Sequence, residues 1–158
     1  MRILPSLALA LCGSVLGRPA WSQDSTTRLT THLRFETTVS RSPIPIGDTA
    51  TLLFRLRNLG PKAITLRFGS TCQVFPHVAR QETGEPVYPS GGLPVCGAMV
   101  TYLTIPAHGE RLIPLQVRAR TGSEAARRQV LTPGDYVAYS TLAGPFALKP
   151  DTLAFSVP

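Results

Sequence analysis

A strict two-residue alternation runs from Ala50 to Arg57. Ala50, Leu52, Phe54 and Leu56 fall on one side, and Thr51, Leu53, Arg55 and Arg57 on the other. Successive side chains of a strand point to opposite faces, so the pattern is that of a β-strand with one face buried and one in water. Helical periodicity does not produce it. The same period appears earlier, where Leu33, Phe35, Thr37 and Val39 alternate with Arg34, Glu36 and Thr38. Asn58-Leu59-Gly60-Pro61 ends the second strand with turn chemistry, and Ile64, Leu66 and Phe68 then read as the returning strand of a hairpin.

Further along, Gln73 to Arg80 reads as a strand carrying Pro76. Proline cannot donate to a sheet ladder, which predicts an edge or a bulge there. Glu82 to Pro86 is a turn before the short Val87-Tyr88, and Pro89 to Pro94 is loop. Met99 to Ile105 and Leu112 to Ala119 are two further strands, separated by Pro106-Ala107-His108-Gly109-Glu110. Ser123 to Arg128 has the composition of a single helical turn. Tyr136 and Ala138 lead another strand, and Leu153, Phe155 and Val157 close the domain. Strand-length segments separated by turns, with no long helical period, predict an all-β fold: an immunoglobulin-like antiparallel sandwich of about seven to eight strands. The run Leu131-Thr132-Pro133-Gly134-Asp135-Tyr136 supports that reading, because a tyrosine just after Leu-x-Pro-Gly locks a sandwich corner through its hydroxyl. Leu131, Pro133, Gly134 and Tyr136 are therefore assigned to structure.

The first 22 residues have the organisation of a cleavable secretory signal. Arg2 supplies the positive start, Ile3 to Leu16 is mostly apolar, and Ala20-Trp21-Ser22 presents small residues for cleavage before Gln23. The apolar run is shorter than the ~20 residues needed to cross a bilayer. The sequence thus predicts an exported protein, periplasmic or extracellular, with no transmembrane segment after cleavage. Cys12 is a poor lipidation site because the bulky Leu11 precedes it. Residues 23–31 are polar and without period and read as a leader, and 32–158 as one domain.

Cleavage removes Cys12 and leaves Cys72 and Cys96. An even pair in an oxidising compartment predicts a disulfide. Cleavage also removes Arg2 and Arg18, leaving 14 basic against 9 acidic residues in the mature chain. All the basic residues except Lys62 and Lys149 are arginine, and Arg55, Arg57, Arg67 and Arg118 sit at alternate places in strands. That spacing reads as the solvated face of a sheet, and no nucleic-acid partner is inferred.

Signatures of catalysis are sparse. The chain has no Gly-x-Ser-x-Gly elbow, phosphate-binding glycine loop, dinucleotide fingerprint or His-Glu-x-x-His. His32, His77 and His108 are its only histidines, and no local spacing ties them to a serine and an acid. Cys72, His77, Cys96, Met99 and His108 are residue types that bind copper. Cys96-Gly97-Ala98-Met99 lacks the intervening histidine of an electron-transfer loop, and using Cys96 as a ligand leaves Cys72 unpaired. No metal, cofactor or catalytic residue is assigned, and the sequence reads as non-enzymatic.

The span from Leu52 to Tyr139 resembles the intracellular proteinase inhibitor family known as BsuPI. The resemblance is carried by Phe54-Arg55-Leu56-Arg57-Asn58, by Ile64-Thr65-Leu66-Arg67-Phe68-Gly69-Ser70 with Gln73, and by Thr83-Gly84-Glu85-Pro86-Val87-Tyr88. It continues through Ile105-Pro106-Ala107-His108-Gly109-Glu110 and Pro133-Gly134-Asp135-Tyr136. The chain departs from the family where a Tyr-Asp-Phe segment is replaced by Val74-Phe75-Pro76, where Pro89-Ser90 follows Tyr88, and in its two cysteines. The resemblance implies a β-sandwich that binds a protein partner, with a subtilisin-like serine protease as the class. The candidate binding loop is Tyr88 to Gly97, rich in proline and glycine and ending beside a bridged cysteine, with Tyr88, Leu93, Pro94 and Val95 as its contact residues; a structural Ω-like connection is the alternative for the same segment, and the one the residues favour. The alternative is an envelope accessory or adhesion-like domain without inhibitory activity.

Overall fold

The computed structural model describes residues 31–90, 94–121, 129–146 and 148–158. The expected signal segment, most of the leader, Leu93 and the helical turn at 123–128 lie outside the described residues. Ten strands occur in the order β1 (Leu33–Val39), β2 (Thr49–Asn58), β3 (Ile64–Phe68), β4 (Val74–Arg80), β5 (Pro86–Tyr88), β6 (Thr101–Ile105), β7 (Glu110–Ala119), β8 (Val130–Leu131), β9 (Gly134–Leu142) and β10 (Leu153–Val157). There is no helix among the described residues.

One sheet has the order β1-β2-β7-β8 and a second β10-β9-β4-β5. Their inner faces meet in a core that includes Leu52 and Phe54 of β2, Leu115 and Val117 of β7, Val78 of β4, Tyr136 and Ala138 of β9, and Phe155 of β10. Facing sheets that bury alternate residues make a β-sandwich. Burial follows the sequence alternation on β2, where Ala50, Leu52, Phe54 and Leu56 are all buried.

The strand Ile64–Phe68 does not return beside β2 as the alternation alone predicts. It pairs antiparallel with β6 in a separate two-stranded sheet, with Leu66 opposite Leu103, and β2 instead lies between β1 and β7. Packing explains the crossing. Ile64, Leu66 and Phe68 join Leu103 and Ile105 over Leu33, Phe35 and Leu56 in a second apolar cluster. A hairpin partner for β2 would leave the inner face at that end of the sandwich uncovered. Two strands, β5 and β8, are too short to carry a period, and β8 runs parallel to β7, the one parallel pairing among the described strands.

Pro76 sits in β4 opposite Ser140 of β9. On its other side β4 pairs with β5 only at Val78 and Ala79, where the register shifts. The proline therefore occupies a stretch whose second edge is open, where no ladder hydrogen bond is lost.

Candidate functional site

The segment that follows Pro94 is set by its anchors. Cys72 and Cys96 are bridged, with their Cα atoms 5.5 Å apart. One residue on each side of the bridge adds a hydrogen bond. The Thr71 N–H donates to the Gly97 carbonyl at 3.0 Å, and the Gly97 N–H donates to Thr71 Oγ1 at 2.9 Å. The Met99 N–H also donates to the Gly97 carbonyl, at 2.9 Å. The backbone after Val95 is thus fastened covalently and by hydrogen bonds to the chain between β3 and β4. Gly97 allows this approach, since a Cβ there would lie 3.3 Å from the Thr71 methyl carbon.

Between these anchors and Pro94, Val95 projects into solvent with a relative exposure of 103%, as free as in an extended peptide. Val95 is the most exposed large hydrophobic among the described residues; Met99, Val100 and Tyr102, just downstream, are also exposed. Tyr88, assigned to the same loop from sequence, is half-buried and packs against the main core. It enters from β5, where the Val78 pairing turns it to the core side of the sheet. Tyr88 and Pro94 do meet elsewhere. They line a cleft of about 310 Å³ at this end of the sandwich, whose walls include Val74, Leu103, Arg111 and Ile113. The cleft was not legible from sequence, because its residues come from β4, β5, β6, β7 and two connections.

The corner residues form a site of another kind. The Tyr136 hydroxyl donates to the Thr132 carbonyl at 2.5 Å while its ring lies stacked near Phe155, with ring centres 5.5 Å apart. Arg80 sits over the same ring, its guanidinium carbon 5.3 Å from the ring centre, and donates to the Pro133 carbonyl and to Thr132 Oγ1. Gly134 has φ +142°, and a Cβ there would lie 2.6 Å from Arg80 Nη1. Sequence reasoning named the tyrosine and glycine but missed Arg80, which sits 52 residues away from Thr132.

On the outer face of β2, Arg55 and Arg57 alternate with nothing acidic along their own strand, yet both are neutralised from the neighbours. Arg57 lies 2.9 Å from Glu36 of β1 and 3.9 Å from Glu110 of β7, and Arg55 lies 3.8 and 3.5 Å from the same two carboxylates. This is a half-exposed ion-pair lattice on a sheet face. Among the described residues, no three His, Cys, Asp or Glu side chains converge on a metal position. No helix among them is long and apolar enough to cross a membrane.

No family model matches this chain, and no curated protein matches it. Solved structures superpose on it only in part and at low identity. An alkylpurine DNA glycosylase of Pseudomonas fluorescens, AlkC, superposes with a TM-score of 0.46 at 16% identity, over 80% of this chain and 30% of its own. A cycloisomaltooligosaccharide glucanotransferase of Paenibacillus sp. gives a TM-score of 0.45 at 17% identity, over 78% of this chain and 14% of its own. A β-glucosidase of Listeria innocua gives 0.40 at 14% identity, over 80% and 16%. The chain therefore spans less than a third of each of these proteins.

Proposed function

We propose that this protein is an exported, non-enzymatic β-sandwich that inhibits a serine protease with the loop ending at Cys96, in the manner implied by its resemblance to the BsuPI inhibitors. Residues 1–22 direct export, and the Cys72–Cys96 bridge is compatible with an oxidising compartment, periplasmic or extracellular. The observation that supports the inhibitory reading is Val95. Its apolar side chain stands wholly in water on a segment already held by a disulfide and two hydrogen bonds to Thr71. Ordering a loop before binding removes part of the entropy cost of association, which is what a substrate-like inhibitor needs. Serine proteases choose substrates largely by the side chain that fills the S1 pocket. A valine there suits a small apolar pocket, and its β-branched side chain has few rotamers to lose.

The test is a panel of purified serine proteases incubated with mature, oxidised protein. Slowing of an enzyme with a small apolar S1 pocket at micromolar inhibitor is expected, and Val95→Asp should remove it without altering the melting temperature. Absence of slowing across the panel at that concentration overturns the reading.

A further inference from the structure

We propose that the cleft beneath the bridged loop is a binding site for an apolar body ending in a single carboxylate, which Arg111 receives. This stands apart from the inhibitor reading, since it uses the interior wall of the loop rather than Val95. The observation is an exposed cation that lines this cleft without a side-chain partner. In β7 the residues Ile113, Leu115 and Val117 point inward, and the two-residue period puts Arg111 on that same side. Glu110, its neighbour in sequence, faces outward and serves Arg55 and Arg57. The Arg111 side chain makes no hydrogen bond or ion pair among the described residues. Among the described residues it is the only charged one lining the cleft.

The remaining walls define the rest of the ligand. Val74, Tyr88, Pro89, Pro94, Leu103 and Ile113 supply apolar surface. Of the polar groups, Thr71 Oγ1 is engaged by the Gly97 N–H, and the Gln73 amide nitrogen donates to the Tyr102 carbonyl at 3.3 Å. The volume of about 310 Å³ is at the small end of ligand sites, which are concave, mostly apolar and fixed by a few polar groups. A guanidinium presents parallel N–H donors that match a carboxylate in a two-point contact. One cation balances one negative charge, so a monoanion fits and a dianion brings excess charge into apolar walls.

Free alkyl or aryl carboxylates and the C-terminus of an apolar peptide share this chemistry, and the experiment separates them. Mature oxidised protein is titrated by calorimetry and by amide chemical-shift mapping with octanoate, with 1-octanol, and with an Ala-Leu-Val tripeptide in free-acid and amidated forms. Octanoate or the free-acid peptide is expected to bind about tenfold or more tightly than its uncharged counterpart, the range of a charge-assisted hydrogen bond. Shifts should centre on Leu103 and Ile113. Arg111→Gln should cost the same factor and Arg111→Lys less, with unchanged melting temperatures. Octanoate alone identifies a small-molecule site, and the peptide alone identifies a chain terminus. Equal binding of charged and uncharged forms, indifference to Arg111→Gln, or no binding at millimolar ligand overturns the proposal, whatever the outcome with proteases.

Discussion

The Tyr136 side chain holds its corner at two ends. Its ring belongs to the core, fully buried, and its hydroxyl reaches back to the Thr132 carbonyl. Removing only the oxygen separates the contributions. Tyr136→Phe keeps the ring packing and the Arg80 contact but leaves a carbonyl without its donor, at about 1–2 kcal/mol. Urea denaturation should therefore show a lower midpoint with an unchanged slope. His77 gives a second single-residue outcome. Its ring stacks on Tyr139, with centres 4.8 Å apart, and its Nε2 lies 3.0 Å from Thr141 Oγ1. Burial holds its pKa below the ordinary 6.5. On acidification the unfolded chain takes up this proton first, so the group's share of stability is present at neutral pH. That share is lost as pH falls from about 6.5 through the lower folded-state value. His77→Gln should flatten that part of the curve of unfolding free energy against pH.

Among the elements, the end of β2 is joined to two others by one amide. Asn58 is 1% exposed, and its nitrogen donates to the carbonyls of Lys62, Ile105 and Pro106 at 2.8, 3.2 and 2.9 Å, while its oxygen accepts from the Gly60 N–H. This fastens β2 to the start of β3 and to the β6–β7 turn. Asn58→Ala leaves several half-buried backbone groups without partners, for about 3 kcal/mol or more, readable as a fall in melting temperature. The Cys72–Cys96 bridge closes a separation of 24 residues. Reduction, or the double change to serine, should cost about 3 kcal/mol by the loop-entropy argument. If Val95 is the contact residue, affinity for the protease falls as well; a loss of stability alone assigns the loop to structure. Sequence reached the turn after Asn58 and the bridge, because both are written in local composition. It did not reach the carbonyls of Ile105 and Pro106, 47 and 48 residues away.

At the scale of the molecule, β2 contributes fully buried side chains to both apolar clusters. Ala50, Leu52 and Phe54 enter the core between the two large sheets, and Leu56 enters the cluster under the β3–β6 sheet. A strand that serves both clusters couples them. The second cluster also explains why Ile64–Phe68 leaves the expected hairpin: alternation specifies that a strand has an apolar face but not which sheet receives it. The same limit applies to charge. Arg55 and Arg57 were legible as an outer face, whereas their sharing of Glu36 and Glu110 depends on β1 and β7 flanking β2.

The amino-acid sequence by itself determined the all-β class, the buried alternation of β1 and β2, the disulfide and the position of the corner tyrosine, because each depends on nearest-neighbour periodicity, turn chemistry or a residue count. Tertiary structure alone decided that β3 pairs with β6, that Tyr88 turns inward while Val95 stands in water, and that the exposed Arg111 lines a cleft with Val74, Leu103 and Ile113. These are long-range outcomes. They follow from which apolar faces find each other when the chain collapses, and burial is non-directional, so no local pattern encodes the partner.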